Sequence, residues 1–128
     1  MSGSGAGTRQ TASCHCGAVE ITFTMKDDWS DARRCDCSLC RRVKPAALSS
    51  DVDALEVIRG QDTLKLYQFG TKTARHYFCG ICGTHTHHQR RSNPSEMGVN
   101  VGCIVGADPR SAGDALWVDG VRHPNDPK

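Results

Sequence analysis

The chain has 128 residues, of which 38% are hydrophobic, 23% charged and 5% aromatic, and its net charge is +2. That length suits one hydrophobic core, no run approaches the roughly 20 apolar residues of a membrane span, and so small a charge is no nucleic-acid footprint. Thirteen glycines and five prolines interrupt the chain too often for a coiled coil or a long helical bundle.

Residues 1–10 are small and polar and read as a flexible arm. They lack the apolar stretch of a secretory signal, so a cytoplasmic location is expected. From Ala18 the chain alternates, with Val19, Ile21 and Phe23 apolar and Glu20, Thr22 and Thr24 polar, which predicts a half-buried strand. Residues 32–37 suit another extended segment. Pro45 stops any helix begun at Ser38 after a turn or two. Short strands are predicted at 46–48, 55–58 and from Leu64 to Gly70, where Tyr67 favours a strand. Further candidates are 73–78, 85–89, 97–104 and, in the tail, 116–118. No 3.6-residue periodicity lasts for ten residues. The fold class is therefore mainly β, a single domain over 11–128, with metal substituting for part of a large core.

Eight cysteines fall as Cys14-x-Cys16, Cys35-x-Cys37-x-x-Cys40, Cys79-x-x-Cys82 and Cys103. A reducing compartment disfavours disulfides, and closely spaced thiolates converge readily on one ion. Zinc is the expected metal. One pair near the start and one in the second half, Cys14/Cys16 and Cys79/Cys82, together supply the four thiolates of a closed structural site. Gly80 and Gly83 let the second pair form a knuckle-like turn. The other reading leaves each pair alone, as redox or buried thiols.

Cys35, Cys37 and Cys40 put three thiolates in six residues, with no fourth in the local motif. Three protein ligands and an exchangeable position make a catalytic zinc. Cys103 or a histidine would instead close the site. Arg33, Arg34, Arg41 and Arg42 flank the motif, offset the charge of the metal–thiolate group and offer bidentate sites for carboxylates. An anionic thiol such as glutathione suits them, with Arg41 and Arg42 as its carboxylate partners. A nucleic-acid strip is disfavoured because no aromatics are interleaved. On a regular strand His85 and His87 share one face and His88 takes the other. They can approach the open position or act as acid–base groups, or stay exposed, the reading preferred for His88. His15, between two ligands, points away from the metal. Cys103 is expected on a buried strand with Val99 and Val101, as a small hydrophobe.

The ordered set CHCGAVEITF, CDCSLCRR, LYQFG, FCGICGTHTHHQ and VNVGC resembles the glutathione-dependent formaldehyde-activating enzyme family, also called the centromere-protein-V/GFA domain, over about residues 11–109. The resemblance implies a β-tent of small antiparallel sheets. It implies a structural zinc on Cys14, Cys16, Cys79 and Cys82, and a functional one on Cys35, Cys37 and Cys40, two ions per chain. It further implies a carbon–sulfur lyase that joins formaldehyde to glutathione, with no catalytic residue beyond the zinc and its three cysteines. Other users of the scaffold are binding modules, and a second zinc fully closed by Cys103 would favour that alternative.

Overall fold

A computed structural model describes residues 7–26, 32–35, 38–43, 46–91, 93–107 and 116–118; the side chains of Cys35, Arg41 and 116–118 are not among what is described. β2 (Glu20–Thr24) shows how alternation becomes a strand: Ile21 and Phe23 are fully buried while Glu20, Thr22 and Thr24 are half-buried. Full burial of each of those two apolar side chains is worth about 1.5–3 kcal/mol. β1 (Arg9–Ser13) pairs antiparallel with β2, from Arg9 opposite Thr24 to Ser13 opposite Glu20. The predicted arm is therefore corrected at its end, where Arg9 and Gln10 already belong to a strand. The Arg9 guanidinium reaches across to the Thr22 and Thr24 hydroxyls, at 2.7 and 3.2 Å, and to the Ala54 carbonyl. β5 (Leu55–Arg59) completes a three-stranded sheet in the order β1-β2-β5.

The second sheet has seven strands among the described residues: β3 (Arg33–Cys35), β4 (Ala47–Asp51), β6 (Leu64–Tyr67), β7 (Arg75–Cys79), β8 (His85–Gln89), β9 (Glu96–Asn100) and β10 (Leu116–Val118). Their spatial order is β10-β3-β4-β9-β8-β7-β6. All pairings are antiparallel except β3 with β10, which is parallel and sets Val118 beside Cys35. α1 (Cys40–Val43) is a single helical turn, as Pro45 requires. The predicted strand over 97–104 ends early. Asn100 caps a 3₁₀ turn, Val101–Cys103, by accepting the Gly102 amide at 3.0 Å. The protein is thus the mainly β tent expected, with one extended sheet.

The core lies between the sheets. Ala12, Ile21 and Phe23 from the small sheet, with Val19 just before β2, meet Leu48 and Val99 from the large one and Val101 and Ile104, which follow β9. Hydrogen bonds from the Lys26 amide to the Ser49 carbonyl and from the Val105 amide to the Thr11 carbonyl join the two layers. Among the described residues no helix is long and apolar enough to cross a membrane.

Candidate metal centre

Two hairpin ends bring four sulfurs together. The β1–β2 connection begins at Cys14, whose amide donates to the Val19 carbonyl at 3.1 Å, and turns through Gly17 at φ 83°. That positive φ is where glycine is needed. The β7–β8 connection begins at Cys79, turns through Gly83 at φ 78° and closes when the Cys79 amide meets the Thr84 carbonyl at 3.0 Å.

One sulfur from each of Cys14, Cys16, Cys79 and Cys82 lies within 4.8 Å of all the others, a group able to hold a metal ion. Cys16 Sγ is 3.7 Å from both Cys14 Sγ and Cys79 Sγ. A disulfide needs about 2.05 Å, so these are not bridged. Ligands about 2.3 Å from a tetrahedral ion stand about 3.8 Å apart, and the observed spacing fits that edge. Cys14 and Cys79 are buried, Cys82 is half-buried and Cys16 is exposed. His15, between Cys14 and Cys16, is exposed.

The backbone supplies donors to the cluster. The Val19 amide points to Cys14 Sγ at 3.3 Å, and the Ile81 and Cys82 amides to Cys79 Sγ at 3.3 and 3.5 Å. Thr84 Oγ1 lies 3.2 Å from Cys82 Sγ. Hydrogen bonds to a thiolate favour its charged form. The Thr84 hydroxyl, then the Thr84 and Cys16 amides, accordingly pull the Cys82 thiol down to about 5. Burial opposes the Cys14 thiolate, but the Val19 amide and the Cys16 and Cys79 sulfurs outweigh it, and its thiol lies below the usual value. The Ala18 amide lowers Cys16, but burial and the other three sulfurs overcome it and raise that thiol to about 11. A cation at the centre would relieve this repulsion, which is the chemistry the donor set fits. Thr84 was not singled out from the sequence as a contributor. Its signal there is a hydroxyl residue two positions after a cysteine and just after the glycine of a turn.

The second constellation is described in part. Cys35 ends β3, Cys40 opens α1 and is buried, and Cys37 and the side chains of Cys35 and Arg41 lie outside the described residues. Arg33 is exposed on β3 and Arg34 half-buried. Arg42 is exposed on α1, and its Nη1 donates to the Ser38 carbonyl. Cys103 is buried as predicted, but in the 3₁₀ turn rather than on a strand, and its Sγ donates to the His85 carbonyl at 3.5 Å.

The histidines correct two expectations. His85 stacks on Phe78 and His87 on Tyr77, with centroids 5.3 and 4.8 Å apart. Phe78 and Tyr77 are consecutive on β7 and face opposite sides, so His85 and His87 do not share a face. The cause is a bulge: β7 pairs Tyr77 with His87 and Phe78 with His85, which leaves Thr86 as the extra residue. His88 is half-buried rather than exposed, stacked 5.4 Å from buried His76 and lying over Gly98. His87 is buried, with Nδ1 2.7 Å from the Thr86 hydroxyl.

Residues 9–119 match the family model described as glutathione-dependent formaldehyde-activating enzyme. A crystal structure of a protein from Rhodobacter sphaeroides is similar at 53% identity, over 84% of this chain and 99% of that one, with a TM-score of 0.81. The family match takes in both cysteine constellations and all ten strands among the described residues, and the chain belongs to the glutathione-dependent formaldehyde-activating enzyme family.

Proposed function

We propose that this chain is a zinc-dependent carbon–sulfur lyase that adds a thiol such as glutathione to a small carbonyl compound, or reverses that addition. The observation that carries the reading is the family match across residues 9–119, which spans both cysteine constellations. In this reading residues 11–128 form one domain, supported by the pairing of β10 with β3. The thiol-rich chain works in a reducing cytoplasm.

Zinc on Cys14, Cys16, Cys79 and Cys82 has a structural role. The sulfur spacing of 3.7 Å and the amide donors around the sulfurs support it. The site joins residues 63 positions apart in sequence, Cys16 and Cys79. Cys35, Cys37 and Cys40 hold the functional zinc. That ion would supply Lewis acidity and favour the thiolate form of a sulfur substrate. Arg41 and Arg42 bind the carboxylates of the thiol compound. Exposure of Arg42 on the helical turn that Cys40 opens supports this placement.

The reaction is an addition. The thiol sulfur forms a bond to the carbonyl carbon, the carbon–oxygen π bond opens, and the proton lost by the thiol ends on oxygen. The open fourth position is what lets a substrate approach. In this reading Cys103, buried with its Sγ 3.5 Å from the His85 carbonyl, is not the fourth ligand. The test is exchange NMR with ¹³C-formaldehyde and glutathione on zinc-loaded protein. Interconversion of formaldehyde and S-hydroxymethylglutathione should run faster than the uncatalysed exchange. No acceleration with two zinc ions bound per chain would leave the protein a zinc-stapled binding module.

A further inference from the structure

The four clustered sulfurs are not equally accessible. Cys16 is exposed and Cys82 half-buried, whereas Cys14 and Cys79 are 4% and 0% exposed. Once the four share a metal all are thiolates, and access then decides which one a small oxidant meets first. The hydrogen-bond donors point the same way. Cys79 accepts the Ile81 and Cys82 amides, and Cys82 accepts the Thr84 and Cys16 amides beside the Thr84 hydroxyl. Cys16 accepts the Ala18 amide. Each donor draws electron density from its sulfur, so Cys16 and Cys14, which accepts the Val19 amide, keep more nucleophilic sulfurs than Cys79 and Cys82, and of the first two Cys16 is the exposed one.

Two sulfurs stand 3.7 Å from Cys16, those of Cys14 and Cys79. A bond to either requires closing to about 2.05 Å. Cys14 is one residue removed, so a bridge to it would close a tight ring and strain the turn. Cys79 lies on a different hairpin, and its backbone is held in β7 opposite Leu64 and by the bond of its amide to Thr84. Cys16 sits in a short glycine-containing turn at the surface, so the displacement falls on the more yielding partner.

We propose that Cys16 is the peroxide-reactive corner of this centre and that its oxidation closes a Cys16–Cys79 disulfide in place of the metal. The inference rests on the reading of the four-cysteine cluster as a zinc site. The Cys16 thiolate attacks one oxygen of hydrogen peroxide. The O–O bond breaks, a sulfenic acid forms and hydroxide leaves. The Cys79 thiolate then attacks the Cys16 sulfur, the S–S bond forms and the S–O bond breaks, releasing a second hydroxide. Two thiolates are oxidised by two electrons and one peroxide is reduced. Cys14 and Cys82 alone do not complete a tetrahedral site, so the ion leaves. The disulfide joins the same two hairpins that the ion joined. Excess thiol reverses the step by exchange.

The experiment uses the full chain with its zinc content measured first. Hydrogen peroxide is added without thiol, and a chromogenic chelator follows zinc release. Trypsin leaves Cys14 and Cys16 together in the 10–26 peptide and Cys79 and Cys82 in the 76–90 peptide, and fragmentation of the linked pair locates the bond. About one zinc per chain should appear at the rate at which Cys16 becomes bonded to Cys79, and dithiothreitol should reverse the link. Cys16→Ser should slow release at least about tenfold if it still binds zinc, and the mapping of the unaltered chain decides if it does not. Zinc retained under excess peroxide, or a first bond that excludes Cys16 or joins it to Cys14, overturns the proposal. Absence of zinc before treatment overturns the zinc reading instead, and the peptide map still tests Cys16.

Discussion

Gly60→Ala probes how the fold holds its cysteine turn. Gly60 follows β5 at φ +91°, and a Cβ there would lie 2.4 Å from the Ala18 carbonyl oxygen and 2.9 Å from Val19 Cα and Cγ2. The obstacle is largely backbone, which cannot swing aside as a flexible side chain can. Arg59, the preceding residue, donates from Nε and Nη2 to the Gly17 carbonyl at 3.2 and 2.9 Å, so the end of β5 already grips the turn that carries Cys14 and Cys16. A left-handed residue with a side chain costs about 1–2 kcal/mol, and an overpacked contact about 1–3 kcal/mol more. The sum, about 2–5 kcal/mol, corresponds to a melting temperature lower by roughly 10–20 °C. Gly70→Ala is the control, since Gly70 also has a positive φ, +59°, but nothing within 4 Å of its Cβ position. It should lose only the conformational part, roughly 5 °C. Gly60→Ala also pushes the Ala18 and Val19 amides, which donate to Cys16 and Cys14. Loss of such outer contacts weakens metal binding by about 10–100-fold. Thermal denaturation and a competitive chelator titration measure both effects. Equal losses for the two alanine variants, with equal zinc affinity, would refute the reasoning that Gly60 holds the metal turn.

Cys79→Ser should leave the chain unfolded or aggregated, since structural zinc contributes on the order of 10 kcal/mol coupled to folding, while Cys37→Ser should stay folded and lose one zinc; circular dichroism with metal analysis separates the two, and equal unfolding would end the division into structural and functional ions. Burial raises the Glu96 carboxyl, but Lys26 and Arg90 outweigh it and hold its folded value below the ordinary one. Its contribution is therefore present above the unfolded value, about 4.3, and is lost as pH falls through the depressed folded value. Glu96→Gln should flatten that acid limb and cost about 3 kcal/mol, because Arg90, whose side chain is 10% exposed, keeps a buried charge; denaturant melts at pH 7 and pH 3 check it, and an unchanged acid limb counts against the pair. Arg41→Ala with Arg42→Ala should weaken glutathione binding roughly 10–100-fold and make it less salt-sensitive. Binding of β-mercaptoethanol should barely change, and equal weakening of both thiols would remove the arginines from substrate recognition.

Much of this protein is set locally and is readable without coordinates. The alternation of Ile21 and Phe23 with Glu20, Thr22 and Thr24 specifies β2, because a period of two sends alternate side chains to opposite faces. Cysteine spacing specifies metal chemistry, because two thiolates on one tight turn aim at one point, and Pro45 limits α1 to a single turn. Tertiary structure decided the rest. Arg9-Gln10-Thr11-Ala12-Ser13 carries little apolar signal and becomes β1 through its ladder with β2 and the reach of Arg9 to two threonines. One extra residue, Thr86, turns His85 and His87 to opposite faces, and a bulge depends on the partner strand, so periodicity along β8 alone cannot reveal it. The parallel placement of β10 beside β3 and the meeting of Cys16 with Cys79 at 3.7 Å are likewise non-local. They follow from how two sheets close over one core, where contacts between distant segments are chosen by packing and not by the residues next to them in the chain.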